Sequence, residues 1–296
     1  MRAACRALLI SVLAFGSIAG CGHQPQAATS PAPERLDEAT IDMITNTGDY
    51  SQRRYRVDEI DVSLTRQCMR NAGFAWAGVA DKPAPDANDG RAVSLDYIRR
   101  HGYGLSEKPP AGGAAMAGPV ADDTGLRTVL LGPADDLAEL TAPNGVVYSF
   151  PHQGCAARSH IAVYGDLDTW ARIFYLPQEL NLALHGQATA DPRYAAKLQE
   201  WRDCMARKKY SYESPNDAVE RLTEEYRSDS RSLEQRRAAE IKIAMQDALC
   251  DEQVRLSATA LALRREYAQR LQPSDRAEMA RLSALFDEAE QRSQNL

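Results

Sequence analysis

The chain has 296 residues, with 35 Lys and Arg against 41 Asp and Glu, a formal charge of −6 and 44% hydrophobic residues. It is too apolar for a disordered chain and too poor in Gly and Pro for a fibrous one. The acidic balance, without a long basic block, argues against a nucleic-acid partner, and the length suffices for one large or two modest cores.

The chain begins MRAACRALLISVLAFGSIAGC. Arg2 and Arg6 form a positive start, Ala7 to Phe15 a short uncharged apolar run, and Ile18-Ala19-Gly20-Cys21 a close of small residues and a cysteine. A run this short does not span a bilayer as a stable helix, so residues 1–20 are expected to be a signal peptide. Ile18 to Cys21 resembles a bacterial lipobox, in which a diacylglycerol joins the Cys thiol and the peptide is cut just before it. Such a cut removes Arg2 and Arg6 and takes the charge from −6 to −8. Each buried methylene contributes about 0.8 kcal/mol, so two or three acyl chains hold a protein durably where one does not. Residues 21–40 are expected to be the lipidated tether. Gly22 to Glu38 is rich in Pro, Ala, Ser and Gln, lacks aromatics, and at about 3 Å per residue reaches some 50 Å when stretched. No later run is apolar and long enough to span, since Ala258 to Leu263 is short and flanked by Arg255, Arg264 and Arg265. The expected location is therefore the extracytoplasmic face of the cell membrane, with the membrane itself a partner through Cys21.

The elements follow in chain order, with residues 41–187 expected as an N-terminal half and 188–296 as a helical C-terminal half packed on it. Val57, Ile60, Leu64 and Cys68 form a helical stripe that Gly73 can close. Residues 106–125 read as a long surface loop. Ala142-Pro143-Asn144-Gly145 fits a type I turn leading into a strand over Val146 to Phe150, so a small β-hairpin is expected. Asp191-Pro192 starts a helix with Tyr194, Leu198, Trp201 and Met205 along one side, and Ser214 to Asp217 starts another. Ser232 with Gln235 predicts a capping box for the longest helix, about Leu233 to Leu271. Its apolar residues are expected in two stripes, Ile241, Met245, Leu249, Leu256, Ala260, Leu263, Tyr267 and Leu271 on one face and Ile243, Cys250, Val254 and Leu261 about 100° round the axis, so that it is covered on two sides. Pro273-Ser274-Asp275 restarts a final helix to about Gln291. The fold class is mainly α, with long C-terminal helices and a small hairpin.

Four cysteines remain beyond Cys21: Cys68, Cys155, Cys204 and Cys250. An even count in an exported chain predicts two disulfides with three possible connectivities. An internal echo selects one of them. LTRQCMRNAGFAW from Leu64 and EWRDCMARKKYSY from Glu200 both run Cys-Met, four residues, an aromatic, one residue and an aromatic. Phe74 and Trp76 thus correspond to Tyr210 and Tyr212, while Lys209 replaces Gly73 and leaves the two helix exits free to differ. Each copy is followed by one later cysteine at a helical site. Equivalent roles predict Cys68–Cys155 and Cys204–Cys250. A four-thiolate zinc site is the alternative, disfavoured because no Cys-x2-Cys pair exists.

The lipobox, QCMRNAGFAW, YGLSE at Tyr103, GCAARSHIAVYGD, EWRDCMARKKYSY and DALCDE together resemble a group of disulfide-bearing lipoproteins of high-GC Gram-positive bacteria. The resemblance implies an exported, membrane-tethered, cross-linked protein and implies no established activity.

The chain carries no Gly-x-Ser-x-Gly, Ser-x-x-Lys, His-Glu-x-x-His, phosphate loop or dinucleotide fingerprint, so no catalytic residue, metal or cofactor is assigned. His152 and His160 flank Cys155 and make a metal or thiolate site only if that thiol is free; otherwise they start and pack a helix. His101, after Arg99-Arg100, is expected at the surface, and His185 at a helix end, where a cation is favoured. Asp247 and Asp251, four apart, with Glu252 form a possible acidic face for a cation, a basic peptide or glycosidase chemistry, set against an ordinary solvated helix side. Trp170, Phe174 and Tyr175 line either a ligand groove or a core. Arg207-Lys208-Lys209 either meets anionic polymer or closes a helix. These features point to a lipid-anchored, non-catalytic binding module for an envelope protein or ligand. The alternatives are a peptidoglycan-directed hydrolase and a transporter's solute-binding lipoprotein.

Overall fold

The computed structural model describes residues 33–82, 94–106, 124–228 and 230–296. Among them are eleven helices and one two-stranded antiparallel sheet. No helix among the described residues is long and apolar enough to cross a membrane.

Short polar side chains open most of the helices. Asp37 caps α1 (Glu38–Thr45) by accepting the Thr40 N–H at 2.8 Å, and Leu36 just before it is buried. Part of the stretch expected to be tether is therefore packed into the fold. The stripe from Val57 lies on α2 (Tyr50–Asn71), and Ser94 caps α3 (Leu95–His101). After α4 (Thr124–Leu131), β1 (Leu137–Thr141) pairs with β2 (Val147–Pro151), Leu137 facing Pro151. The turn between them is the expected one. Gly145 donates to the Ala142 carbonyl at 2.9 Å, Ala142 to that of Val146 at 2.8 Å, and Gly145 takes φ +86°.

Next come α5 (Gly154–Tyr164) and α6 (Leu167–Thr189), the latter capped by Asp166 and continuous through a buried Pro177. It packs against α1 and α5, which hold the helix where an interior proline would otherwise break it. Asp191 caps α7 (Pro192–Arg207), followed by α8 (Pro215–Ser228). Both halves of the Ser232–Gln235 capping box form at the start of α9 (Leu233–Val254). The chain ends in α10 (Leu256–Ala268) and α11 (Pro273–Ser293). The main core draws Ile44, Val57, Phe150, Leu184, Leu282 and Phe286 from α1, α2, the hairpin, α6 and α11. Each such side chain contributes roughly 1.5–3 kcal/mol on leaving water.

The single helix expected over Leu233–Leu271 is two. Arg255 adopts the left-handed conformation (φ 61°, ψ 40°), and the Asp251 carboxylate turns to accept the Ser257 N–H at 2.7 Å. That bond satisfies one of the orphan amides at the start of α10, which a continuous helix would not need. The first expected stripe is not wholly covered, whereas Cys250 and Val254 of the second are buried. Leu249 stays 46% exposed, while Glu240, Ala244, Asp247, Ala248 and Asp251 are buried.

Both disulfides form as the echo predicts, Cys68–Cys155 between α2 and α5 and Cys204–Cys250 between α7 and α9. Phe74 and Trp76 pack in the first sulfur cluster, Tyr210 and Tyr212 in the second, and Met69 and Met205 are both fully buried beneath them. The two helix exits do not differ. Gly73 and Lys209 both take positive φ (87° and 67°). Phe74 donates to the Met69 carbonyl at 2.9 Å and Tyr210 to that of Met205 at 3.0 Å, a Schellman closure in each copy. Lys209 takes a conformation that normally favours glycine between two pinned points, Met205 in the core one turn earlier and Tyr210 against the disulfide cluster.

Candidate functional site

The acidic face expected at Asp247, Asp251 and Glu252 is not assembled. Asp247 points inward and accepts from Trp201 Nε1 and from the Tyr103 hydroxyl, each at 2.9 Å. Asp251 is spent on the Ser257 cap, and only Glu252 is exposed. The two aspartates are structural acceptors, drawn in by donors that lie 46 and 144 residues away in the case of Asp247 and six residues on in the case of Asp251. Burial pushes the Asp247 carboxyl up to about 6, against the two hydrogen bonds that lower it.

A different cluster forms where α2, α5 and α6 meet. Arg54, Asp58 and Asp61 stand at i, i+4 and i+7 on α2, so they share one face. Across from them α5 places His160, and α6 places Trp170 and Phe174 one turn apart. His160 Nδ1 lies 2.9 Å from Asp61 Oδ2, near enough for an ion pair when the ring is protonated but too poorly aligned for a hydrogen bond. The imidazole lies flat on the Trp170 indole, centroids 4.0 Å apart and planes within 9°. The Arg54 guanidinium sits 5.0 Å above the Phe174 ring, and its Nε is 3.5 Å from Asp58 Oδ2. Burial, opposed by Arg54 and reinforced by Asp61, pushes Asp58 up to about 6. Burial first, then Asp58 and Asp61, also drives the Tyr164 hydroxyl well above its usual value.

Arg54, Asp58, Asp61, His160, Trp170 and Phe174 line a groove of about 460 Å³, with Val79 to Lys82 along its wall. Asp61 is only 8% exposed, yet its Oδ1 accepts no hydrogen bond. A buried carboxylate oxygen without a donor is costly, and a ligand N–H or O–H entering the groove would remove that cost. Arg54 and Asn46 are shared with a second cavity of about 380 Å³ on the other side.

The other residues singled out in the sequence are dispersed. Cys21 lies outside the described residues. Of the aromatic trio, Trp170 and Phe174 line the groove, whereas Tyr175 turns to the hairpin and stacks on Tyr148 at 4.3 Å. His152 leaves His160 and pairs with Asp136 at 2.7 Å. His101 stacks on Tyr97. His185 is not at a helix end but one turn before it on α6, and partial desolvation, then Arg264, lower its pKa instead of favouring the cation. Arg207 to Lys209 close α7. Among the described residues no group of three His, Cys, Asp or Glu side chains is placed to hold a metal. Arg54, Asp58 and Asp61 were missed because charges spaced along a helix ordinarily mark its wet side. Their one signal is that they interrupt the Val57, Ile60 and Leu64 stripe.

No protein-family model, no curated protein and no solved structure matches the chain.

Proposed function

We propose that the protein is a lipid-anchored, extracytoplasmic binding module that takes its ligand or partner in the groove between α2, α5 and α6. The observation that carries the binding role is the Asp61 carboxylate, buried at the groove with one oxygen lacking a donor. Aromatic and ion-paired walls with a few convergent polar groups are what small-molecule sites are made of. Support for the location comes from the leader and Cys21, and from two disulfides, which persist in oxidising compartments.

Two measurements test the reading. Intact mass of the native protein should show acyl mass on Cys21, and a Cys21→Ala chain should move from the detergent phase to water. A panel of envelope fragments (saccharides, muropeptides, amino acids) should yield binders that Asp61→Asn and Trp170→Ala both weaken at least tenfold. Water-soluble native protein without lipid mass defeats the anchor, and binders indifferent to both variants defeat the groove. The raised pKa of Asp58 keeps an envelope hydrolase as the second reading. Cleavage of isolated wall material by the wild type and not by Asp58→Asn would put that reading first.

A further inference from the structure

The second cavity differs in chemistry from the groove it adjoins. It lies where α1, α2, α6 and α10 converge, and the charged or titratable side chains lining it are Arg54, Tyr50, His185 and Arg264, with no carboxylate among its described lining residues. Asp42 of α1 is engaged by Arg265, and Asp58 lies on the groove side of Arg54. Arg264 donates Nη1 to Asn181 Oδ1 at 2.8 Å, pairs with no described carboxylate, and keeps a buried Nε that has no acceptor. The remaining wall is apolar: Met43 and Ile44 from α1, Ile173 and Pro177 from α6, with Leu182 68% exposed at the rim.

We infer that this cavity is a binding site for a small oxyanion, carboxylate or phosphate, carried on a short apolar stem. The head takes its place against Arg264 and His185, where it supplies the counter-charge the guanidinium lacks; charge-assisted bonds of this kind are among the stronger ones proteins make. The stem lies along Met43, Ile44 and Ile173. The volume, about 380 Å³, suits a molecule of that size. Desolvation and then Arg264 lower the His185 pKa, and desolvation lowers that of Arg264, the behaviour of cations left without a counter-charge. The site shares Arg54 and Asn46 with the groove, but neither Asp61 nor Trp170 lines it, so the two readings are tested by different variants.

Histidine ring resonances of the purified full chain, titrated with hexanoate, inorganic phosphate and hexanol, test it. Hexanoate should raise the apparent His185 pKa by half a unit or more, and Arg264→Gln should weaken hexanoate binding at least tenfold. Leu182→Asp, at an exposed position that does not challenge folding, should weaken it by a similar factor by placing a carboxylate at the rim. A response to phosphate as well as hexanoate supports recognition of the head alone, and a response to hexanoate only supports head and stem together. Hexanol binding as tightly as hexanoate, or hexanoate binding unchanged in both variants, overturns the inference. A ligand that alters Trp170 fluorescence while every probe leaves His185 unmoved would overturn it and leave the groove reading standing.

Discussion

Replacing Asp247 by Asn should change how stability depends on pH more than it changes stability itself. The folded-state pKa of about 6 stands above the 3.8 of the exposed side chain, with burial the leading cause. The folded protein therefore holds this proton more tightly than the unfolded chain does. The resulting stabilisation is complete below about pH 4 and is lost as pH rises through 6. A gap of roughly two units at 1.36 kcal/mol each is worth about 3 kcal/mol. Asn keeps an oxygen for Trp201 Nε1, and its amide can donate to the Tyr103 hydroxyl, so at pH 4 the variant should lose only about 1 kcal/mol. Between pH 4 and 7 the wild type should fall by about 2.5 kcal/mol relative to the variant. Asp58 titrates in the same direction but is present in both chains and cancels in the difference. Guanidinium unfolding at four pH values from 4 to 7 measures that difference. Parallel curves would refute the assignment of a buried, proton-retaining carboxyl at this position.

Three further outcomes are expected. Loop-closure entropy for separations of 87 and 46 residues gives about 4.5 kcal/mol for Cys68–Cys155 and about 4 kcal/mol for Cys204–Cys250; guanidinium midpoints of the paired Cys→Ser variants check both. Lys209→Gly should stabilise by about 1 kcal/mol because it relieves a left-handed lysine, and thermal unfolding that shows a loss would contradict the shared helix exit. Glu240, fully buried, accepts the Leu105 and Ser106 amides at 2.8 and 2.9 Å. Glu240→Ala should cost about 2–4 kcal/mol and speed hydrogen exchange at those two amides before the rest of the fold.

What could be read in the sequence was local or repeated. The starts of α7 and α9 were legible because Asp191 and Ser232 act on amides two or three residues away. Both disulfides were legible because the same Cys-Met-to-aromatic spacing occurs twice, and one copy tells what the other does. The break at Arg255 was not, since no glycine or proline marks it. It depends on Asp251 preferring the Ser257 amide, a choice made once Leu256 is buried beside Cys250. The site was hidden for a related reason. Arg54, Asp58 and Asp61 look solvated until α5 arrives a hundred residues later and sets His160 on Trp170 above them. Trp170 and Phe174 were noticed as a possible groove, but their polar partners were not.

The order of the cysteines has a consequence for biogenesis. Of the four bridged cysteines the first bonds to the second and the third to the fourth: Cys68 to Cys155, then Cys204 to Cys250. In a polypeptide threaded through a pore from its N-terminus, Cys155 emerges while Cys204 and Cys250 are still behind it. In such a chain Cys68 would meet Cys155 before either later bridged thiol, so consecutive pairing would form with an oxidant and without passing through a bridge to Cys204 or Cys250.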